Sequence, residues 1–357
     1  MLIANAPTAQ SALLVSASEA KTVAMAQRAL LDRQSWLDND SRSKNAGPAE
    51  VEDLSLRRAR SASSAASPLP VDLMRLDEDF TELTLRFDAD QGSLWCGFKH
   101  TGRPCFTPEL LADIAQLQTR LKGLYSRPVM GQDPPRAVIW HSPLRGMWNL
   151  GGDLMLFIRL IREGASEELR RYAYACVNTV YQNWTKLGSP FLTIALVQGD
   201  ALGGGFEAVL TNDVIIAEQQ SKFGLPEILF NMFPGMGAYS FLCRRMDGVR
   251  AEQMIRSGRL YEAEELAERG LVDLVVGEGE GEGAVRDYLD RNRRRLAVWS
   301  ALSQVKRRCQ PVSYDELIDV TDLWVNTAMG LEDTDLRRME RLAVAQQRRH
   351  LRGRSEP

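Results

Sequence analysis

Residues 199–210, GDALGGGFEAVL, decide the fold. They follow the apolar run FLTIALV (191–197) and set three consecutive glycines directly ahead of Glu207. A buried strand, a glycine turn and a helix start make one βα unit, and the unpaired N–H groups at the helix start can receive negative charge. A dinucleotide-binding unit would begin the same way. Its G-x-G-x-x-G pattern, counted from Gly199, requires a glycine where Ala201 stands, and the Phe206–Leu210 segment is too short for the crossover helix that such a fold needs. A Walker loop fails for want of a Gly-Lys-Ser/Thr ending. Two readings survive: a purely structural turn, or a backbone pocket for a carbonyl oxygen that gains negative charge as it reacts.

Such a pocket needs two donors. WNLGGDL (148–154) supplies a second strand, glycine turn and helix start earlier in the chain, although a helix capped by Asp153 would account for it equally well. Two glutamates bear on the choice. Glu207 lies in the first turn of the glycine helix, and Glu227 lies in FGLPEILFNMFPGMGAYSFL (223–242). Each is flanked by apolar residues, where an unpaired charge is costly unless function retains it. For Glu227 alone, a helix-start carboxylate after Pro226 is the structural alternative.

Outward from this stretch, TELTLRF (81–87) and SLWCGF (93–98) alternate around Gly92 and predict a hairpin. Thr107-Pro108-Glu109 opens a helix to about Leu124. Strands RAVIWH (136–141), FLTIALV and DVIIA (213–217) alternate with helices, which predicts parallel pairing in an α/β domain. Residues 251–276 give two short helices and a final strand, GEGEGEG (277–283) reads as turn, and the rest is helical. Residues 1–70, rich in Ala and Ser and closing on SASSAASPLP (61–70), read as a flexible extension and linker. The division is therefore 1–70, a core over 71–283, and a helical region over 284–357.

With 357 residues, 44% hydrophobic, the chain can bury a large core, and a net charge of −3 gives no global footprint for nucleic acid. Its five cysteines include no CxxC pair, and with only three histidines no metal site is written. No run approaches the roughly 18 apolar residues of a membrane helix, so no membrane insertion is expected. The first twenty residues hold no Lys or Arg to begin a signal peptide, and a cytoplasmic location is expected.

Three ordered stretches, NLGGDL (149–154), ALVQGDALGGGFEAVLTNDVIIAE (195–218) and FGLPEILFNMFPGMGAYSFL, resemble the crotonase (enoyl-CoA hydratase/isomerase) superfamily. Within it they resemble the diffusible signal factor synthases of bacterial quorum sensing. The likeness covers roughly residues 71–350. It implies an α/β fold with a crotonase-like ββα spiral core and a helical C-terminal region, assembled as a trimer or a dimer of trimers. It implies oxyanion donors at Gly152 and Gly204, with Gly151 as a substitute because L-G-G-D stands where the general pattern is A-G-x-D. It implies Glu207 and Glu227 as acid and base, without assigning which is which.

The implied reaction dehydrates a medium-chain 3-hydroxyacyl thioester, carried on acyl carrier protein or coenzyme A, to a cis-2-enoyl thioester, which is then hydrolysed to the free fatty acid. No cofactor is expected. Trp324 and Met329, on a late helix, are candidates for the acyl pocket, against a plain core role. Partners implied are the acyl carrier protein and an inhibitory sensor kinase. The basic clusters RNRRR (291–295) and KRR (306–308) either meet that acidic carrier or form solvated helix faces. An ordinary 2-enoyl-CoA hydratase and a non-catalytic crotonase scaffold are the alternatives; the presence of both glutamates weighs against the scaffold.

Overall fold

The structure is a computed structural model that describes residues 80–126 and 133–355. The expected extension and linker over 1–70 lie outside the described residues. The predicted hairpin is present: β1 (Leu83–Asp88) pairs antiparallel with β2 (Ser93–Phe98), and Gly92 in the turn takes φ +61°. The predicted helix comes next as α1 (Pro108–Ser126), with Thr107 Oγ1 accepting the Leu110 N–H at 3.2 Å.

From there the chain winds as a spiral that deposits strands alternately in two sheets. The first turn gives β3 (Ala137–His141), β4 (Gly146–Asn149), α2 (Leu154–Arg162) and α3 (Ser166–Thr185). The second gives β5 (Leu192–Val197), β6 (Gly199–Leu202) and α4 (Gly204–Leu210). The third gives β7 (Val214–Glu218), β8 (Lys222–Gly224), a 3-10 turn (Pro226–Phe230), α5 (Ala238–Cys243) and α6 (Gly248–Ser257). After β9 (Leu260–Glu262) and α7 (Ala263–Glu268) the chain returns as β10 (Leu274–Val276). One sheet has the order β1-β2-β3-β5-β7-β10, parallel from β2 onward; the other has the order β4-β6-β8-β9, with only β9 antiparallel. This is the ββα spiral expected of the sequence.

Strand β5 explains why the larger sheet is covered on both faces. All six of its residues are buried, with Ala195 and Val197 in the main core and Leu192, Ile194 and Leu196 in a second core. Period-2 side-chain alternation delivers the two sets to opposite faces, as in parallel sheets sandwiched by helices. The second core is closed by α8 (Gly281–Asn292) and α9 (Leu296–Cys309), through Val285, Leu289 and Leu296. The expected boundary at 283/284 therefore falls inside the first turn of α8, and the last three of the seven residues of the predicted GEGEGEG turn are helix. Helices α10 (Tyr314–Met329) and α11 (Asp333–Ser355) complete the C-terminal region. Among the described residues no helix is long and apolar enough to cross a membrane.

Strands β8 and β9 escape the sequence reading because three residues carry no measurable alternation, and β6, four residues read as part of the glycine loop, escapes it as well. In the C-terminal basic cluster Lys306 and Arg308 are exposed, whereas Arg307 turns toward the core. Arg307 Nη1 lies 3.7 Å from Asp213 Oδ1, and the buried Lys186 Nζ lies 2.9 Å from Asp213 Oδ2. Lys306 extends over the Trp184 ring, and the desolvation there pulls its ammonium below the usual lysine range. Asp213 stands just past the C-terminal end of α4, whereas the glycines lie at its start, so Arg307 ties α9 to the core at the end of α4 away from the glycines.

Within the smaller sheet, β4 and β6 lie against each other with no room to spare at the Gly146–Gly199 pair. A Cβ built on Gly199 would stand 2.2 Å from Gly146 C and Met147 N, both backbone atoms that cannot swing away. Gly199→Ala is therefore expected to destabilise the fold by about 1–3 kcal/mol, seen as a lower midpoint in thermal unfolding followed by circular dichroism. An unchanged midpoint would mean the strands are not in this contact.

Candidate active site

Because β4 and β6 run parallel side by side, the loops leaving their C-terminal ends meet. Gly151, at φ +93°, has its Cα facing the other loop: an added Cβ would stand 2.8 Å from Gly204 N and 2.9 Å from Leu202 O. Gly203 takes φ +52° and ψ −129°, a conformation essentially restricted to glycine. Gly204 opens α4, so its N–H has no partner within the helix. The Gly152 N atom lies 3.5 Å from the place a Cβ on Gly204 would take. The two expected donors are thus neighbours. Gly151 is not available as a substitute, because its N–H donates to Asn149 Oδ1 at 2.8 Å.

The glycine loop from β4 is braced from behind. Gly151 O accepts the Phe106 N–H at 2.8 Å, and Leu150 N–H donates to Pro104 O at 2.8 Å. Tyr172 Oη on α3 accepts the Asp153 N–H at 3.0 Å and donates to Phe106 O at 2.5 Å. Asp153 caps α2 through Leu156 N–H, as its sequence position predicts, and also pairs with Arg103.

Glu207 is 1% exposed, and its Oε1 accepts the N–H groups of Met236 and Ala238, each at 2.8 Å. Burial pushes its carboxyl up to about 7, against the opposing pull of those two bonds. Glu227, on the 3-10 turn, has an Oε2 that is enclosed and without a hydrogen-bond partner. Burial, and then the charge of Glu207, push its carboxyl up to about 8. Its enclosure does not come from all its sequence neighbours: Leu225 is buried, but Ile228 and Leu229 are 46% and 59% exposed. The enclosing wall is backbone, since Glu227 Oε1 lies 2.6 Å from where a Cβ on Gly203 would be. The same glycine shapes the turn and leaves room for the carboxyl.

Gly152, Gly204, Glu207 and Glu227 line one cavity that opens to solvent. The rest of its wall is largely apolar, with Phe157, Tyr172 and Met236 prominent. Trp324 belongs to this wall and meets Phe157 edge-on at 5.0 Å between ring centroids. Met329 does not line the cavity; it is partly buried against the main core. Five positions separate the two on α10, so they point about 140° apart and cannot share a wall. Sequence reading missed Tyr172 and also Leu342 and Gln346, which α11 contributes to the cavity. The amphipathic pattern of those helices marks a buried face without saying what it faces.

Other nucleophiles are poorly placed. Cys176 lines the cavity, but burial pushes its thiol up to about 12, leaving it protonated at neutral pH. His141 packs edge-on against Trp95, a residue of the second core, and burial pushes it down to about 4.

With the fold and this geometry in place, comparison with known proteins is decisive for the family. The sequence model of the enoyl-CoA hydratase/isomerase family matches residues 134–313. The chain belongs to that family. A protein described as a probable enoyl-CoA hydratase of Mycobacterium bovis is 41% identical over 106 residues, 29% of this chain and 41% of that relative. A second, of Rhizobium meliloti, is 45% identical over 83 residues, 23% of this chain and 32% of the relative. The chain thus spans less than half the length of these curated relatives. Among solved structures, the enoyl-CoA hydratase of Bacillus halodurans superposes with a TM-score of 0.60 at 19% identity, covering 72% of this chain and 98% of the other. The human mitochondrial delta3-delta2-enoyl-CoA isomerase gives 0.60 at 17% identity, covering 75% and 99%. At such identities these two likenesses are of fold; family membership rests on the matched sequence.

The raised carboxyl groups have a consequence for stability. A group protonated in the folded state but ionised in the unfolded state stabilises the fold below its unfolded value and loses that contribution as pH rises through the folded value. For Glu207 and Glu227 the window runs from the ordinary value of 4.5 to about 7 and about 8. Glu227→Gln should therefore melt a few degrees above the wild type at pH 9 and about level with it at pH 4. Equal melting temperatures at both pH values would show that Glu227 ionises in the fold as it does in water.

Proposed function

We propose that this protein is a signal synthase of the diffusible signal factor type, which dehydrates a medium-chain 3-hydroxyacyl thioester and releases the unsaturated acid. The observation that supports it most strongly is the pair of enclosed carboxyls, both raised toward neutrality, beside two backbone N–H groups in one apolar cavity. Loss of water requires a base for the weakly acidic C2 proton, an acid for the C3 hydroxyl, and donors for the thioester oxygen as it takes up charge. Glu207 and Glu227 supply the first two, and Gly152 and Gly204 N–H the third.

Burial, with the charge of Glu207 adding to it at Glu227, keeps at least one proton on the carboxyl pair near neutral pH, so that one member can donate while the other accepts. Hydrolysis then uses the same parts. A carboxylate takes a proton from water, the water oxygen bonds to C1, the C1 oxygen rests on the two N–H groups, and the thiol leaves with a proton. The carrier is an acyl carrier protein, the assembly a trimer or dimer of trimers, and a sensor kinase the inhibitory partner; all three derive from the sequence likeness. An ordinary 2-enoyl-CoA hydratase is the second reading. It is favoured by the descriptions of the curated relatives, and it uses the same carboxyls and donors without releasing free acid.

Turnover of a 3-hydroxyacyl thioester by the full chain, with enoyl thioester and free acid followed separately by mass spectrometry, tests the proposal. Glu207→Gln and Glu227→Gln should each slow dehydration by about 10²–10⁴-fold, and the double variant should be little worse than the poorer single one, because the groups act as a unit. Enoyl thioester without free acid would select the ordinary hydratase; near-normal activity of a folded double variant would refute both.

Chain length gives a second test. Trp324→Ala should broaden or lengthen the acyl chains accepted, as read from the distribution of products, whereas Met329→Ala should leave that distribution alone. The reverse pattern would place Met329, not Trp324, against the substrate.

A further inference from the structure

Asn149 is fully buried as the last residue of β4. A carboxamide in a protein interior is destabilising unless its hydrogen bonds are made. Asn149 makes one of them inside its own turn, with Oδ1 accepting Gly151 N–H at 2.8 Å. Its Nδ2 is buried without a partner. The orientation of the amide is not arbitrary, because Gly151 presents a donor and requires the oxygen.

Three features make this residue more than a turn former. First, the pairing of β4 with β6 slips between Met147 and Asn149, an irregularity that bends the strand end and re-aims the glycine loop beyond it. Second, Asn149 O would be 2.0 Å from a Cβ on Gly205, so the residue is pressed against the first turn of α4, between the two donor loops. Third, the Gly151 residue is held at both ends, its N–H by Asn149 and its carbonyl by Phe106 N–H. With Gly151 fixed, the next N–H along the chain, that of Gly152, is left without an acceptor among the described residues and lies beside Gly204.

We infer that Asn149 is a positioning residue that selects which glycine N–H receives the thioester oxygen. By taking up the Gly151 N–H it removes a competing donor and sets the plane of the next peptide, so that Gly152 and Gly204 point at one place. The inference rests on the proposed thioester chemistry, because it concerns the donors that stabilise an enolate. Asn149 touches neither substrate nor reacting atoms. Its effect belongs to the transition state, since a ground-state carbonyl oxygen is held less strongly than an enolate oxygen by the same donors.

The test compares wild type with Asn149→Ala, which removes the acceptor, and Asn149→Ser, which restores a shorter oxygen acceptor able to bond two residues on. Circular dichroism and thermal melting serve as folding controls. For Asn149→Ala the expected result is a fall in kcat on the order of 10²-fold with KM within about threefold of wild type, and partial recovery in Asn149→Ser. A readout independent of turnover is the ultraviolet absorbance of a bound 3-oxoacyl thioester, which can ionise to a conjugated enolate. The alanine variant should bind it while showing a smaller enolate band, and serine should restore part of the band.

Unchanged kcat and an unchanged band in a folded alanine variant would overturn the inference, as would a rise in KM alone. If alanine fails to fold, serine is compared directly with wild type, and a serine variant equal to wild type in both kcat and enolate band would overturn it as well. A wild-type protein that turns over no 3-hydroxyacyl or 2-enoyl thioester would instead refute the proposed function, so the two failures are distinguishable.

Discussion

The structure depends on how closely two glycine-bearing loops can approach. Gly199 lets β6 lie against β4, Gly205 lets α4 press on Asn149 O, and Gly151 faces Gly204 N across a gap with no room for a Cβ. Each contact would be a collision for any other residue. Their sum brings two backbone N–H groups together at the cavity, that of Gly152 just ahead of the α2 cap and that of Gly204 at the start of α4. A side chain at any of these positions would force β4 from β6 or one donor loop from the other, so stability and chemistry share one constraint.

The carboxyls depend on the same approach. Glu207 is carried by the first turn of α4, so the glycine turn that presents Gly204 N–H also fixes Glu207, and Met236 and Ala238 N–H hold one of its oxygens. Glu227 is closed in by Gly203 rather than by a neighbouring side chain. Burial pushes both carboxyls up toward neutral pH, and the charge of Glu207 adds to the shift of Glu227. The property that acid/base chemistry needs is thus a consequence of packing.

Much of this is legible in the sequence because it is local. A strand, a glycine turn and a helix start are written within twenty residues (191–210), and the hairpin at Gly92 and the cap at Asp153 are equally short-ranged. What cannot be read depends on which surfaces meet. Leu342 and Gln346 reach the cavity from α11, more than a hundred residues beyond Glu227. Met329 looks equivalent to Trp324 in sequence because both are large and share a helix, but helical geometry sends them to different places. The substitute role for Gly151 fails for a similar reason: the pattern shows an additional glycine, and only the fold shows Asn149 occupying its N–H. The charge run at 306–308 suggests an open surface, yet Asp213, nearly a hundred residues away in sequence, draws Arg307 inward.

The central claim is that Glu207 and Glu227 share a buried site that retains a proton at neutral pH. The most direct measurement is a carbon-13 NMR titration of side-chain carboxyls in glutamate-labelled protein, with Glu207→Gln and Glu227→Gln used to assign the two resonances. Two carboxyls should titrate in coupled steps near neutrality, with the remaining one ionising at lower pH once its partner is replaced. Two resonances that both titrate near 4.5, each unaffected by loss of the other, would contradict it.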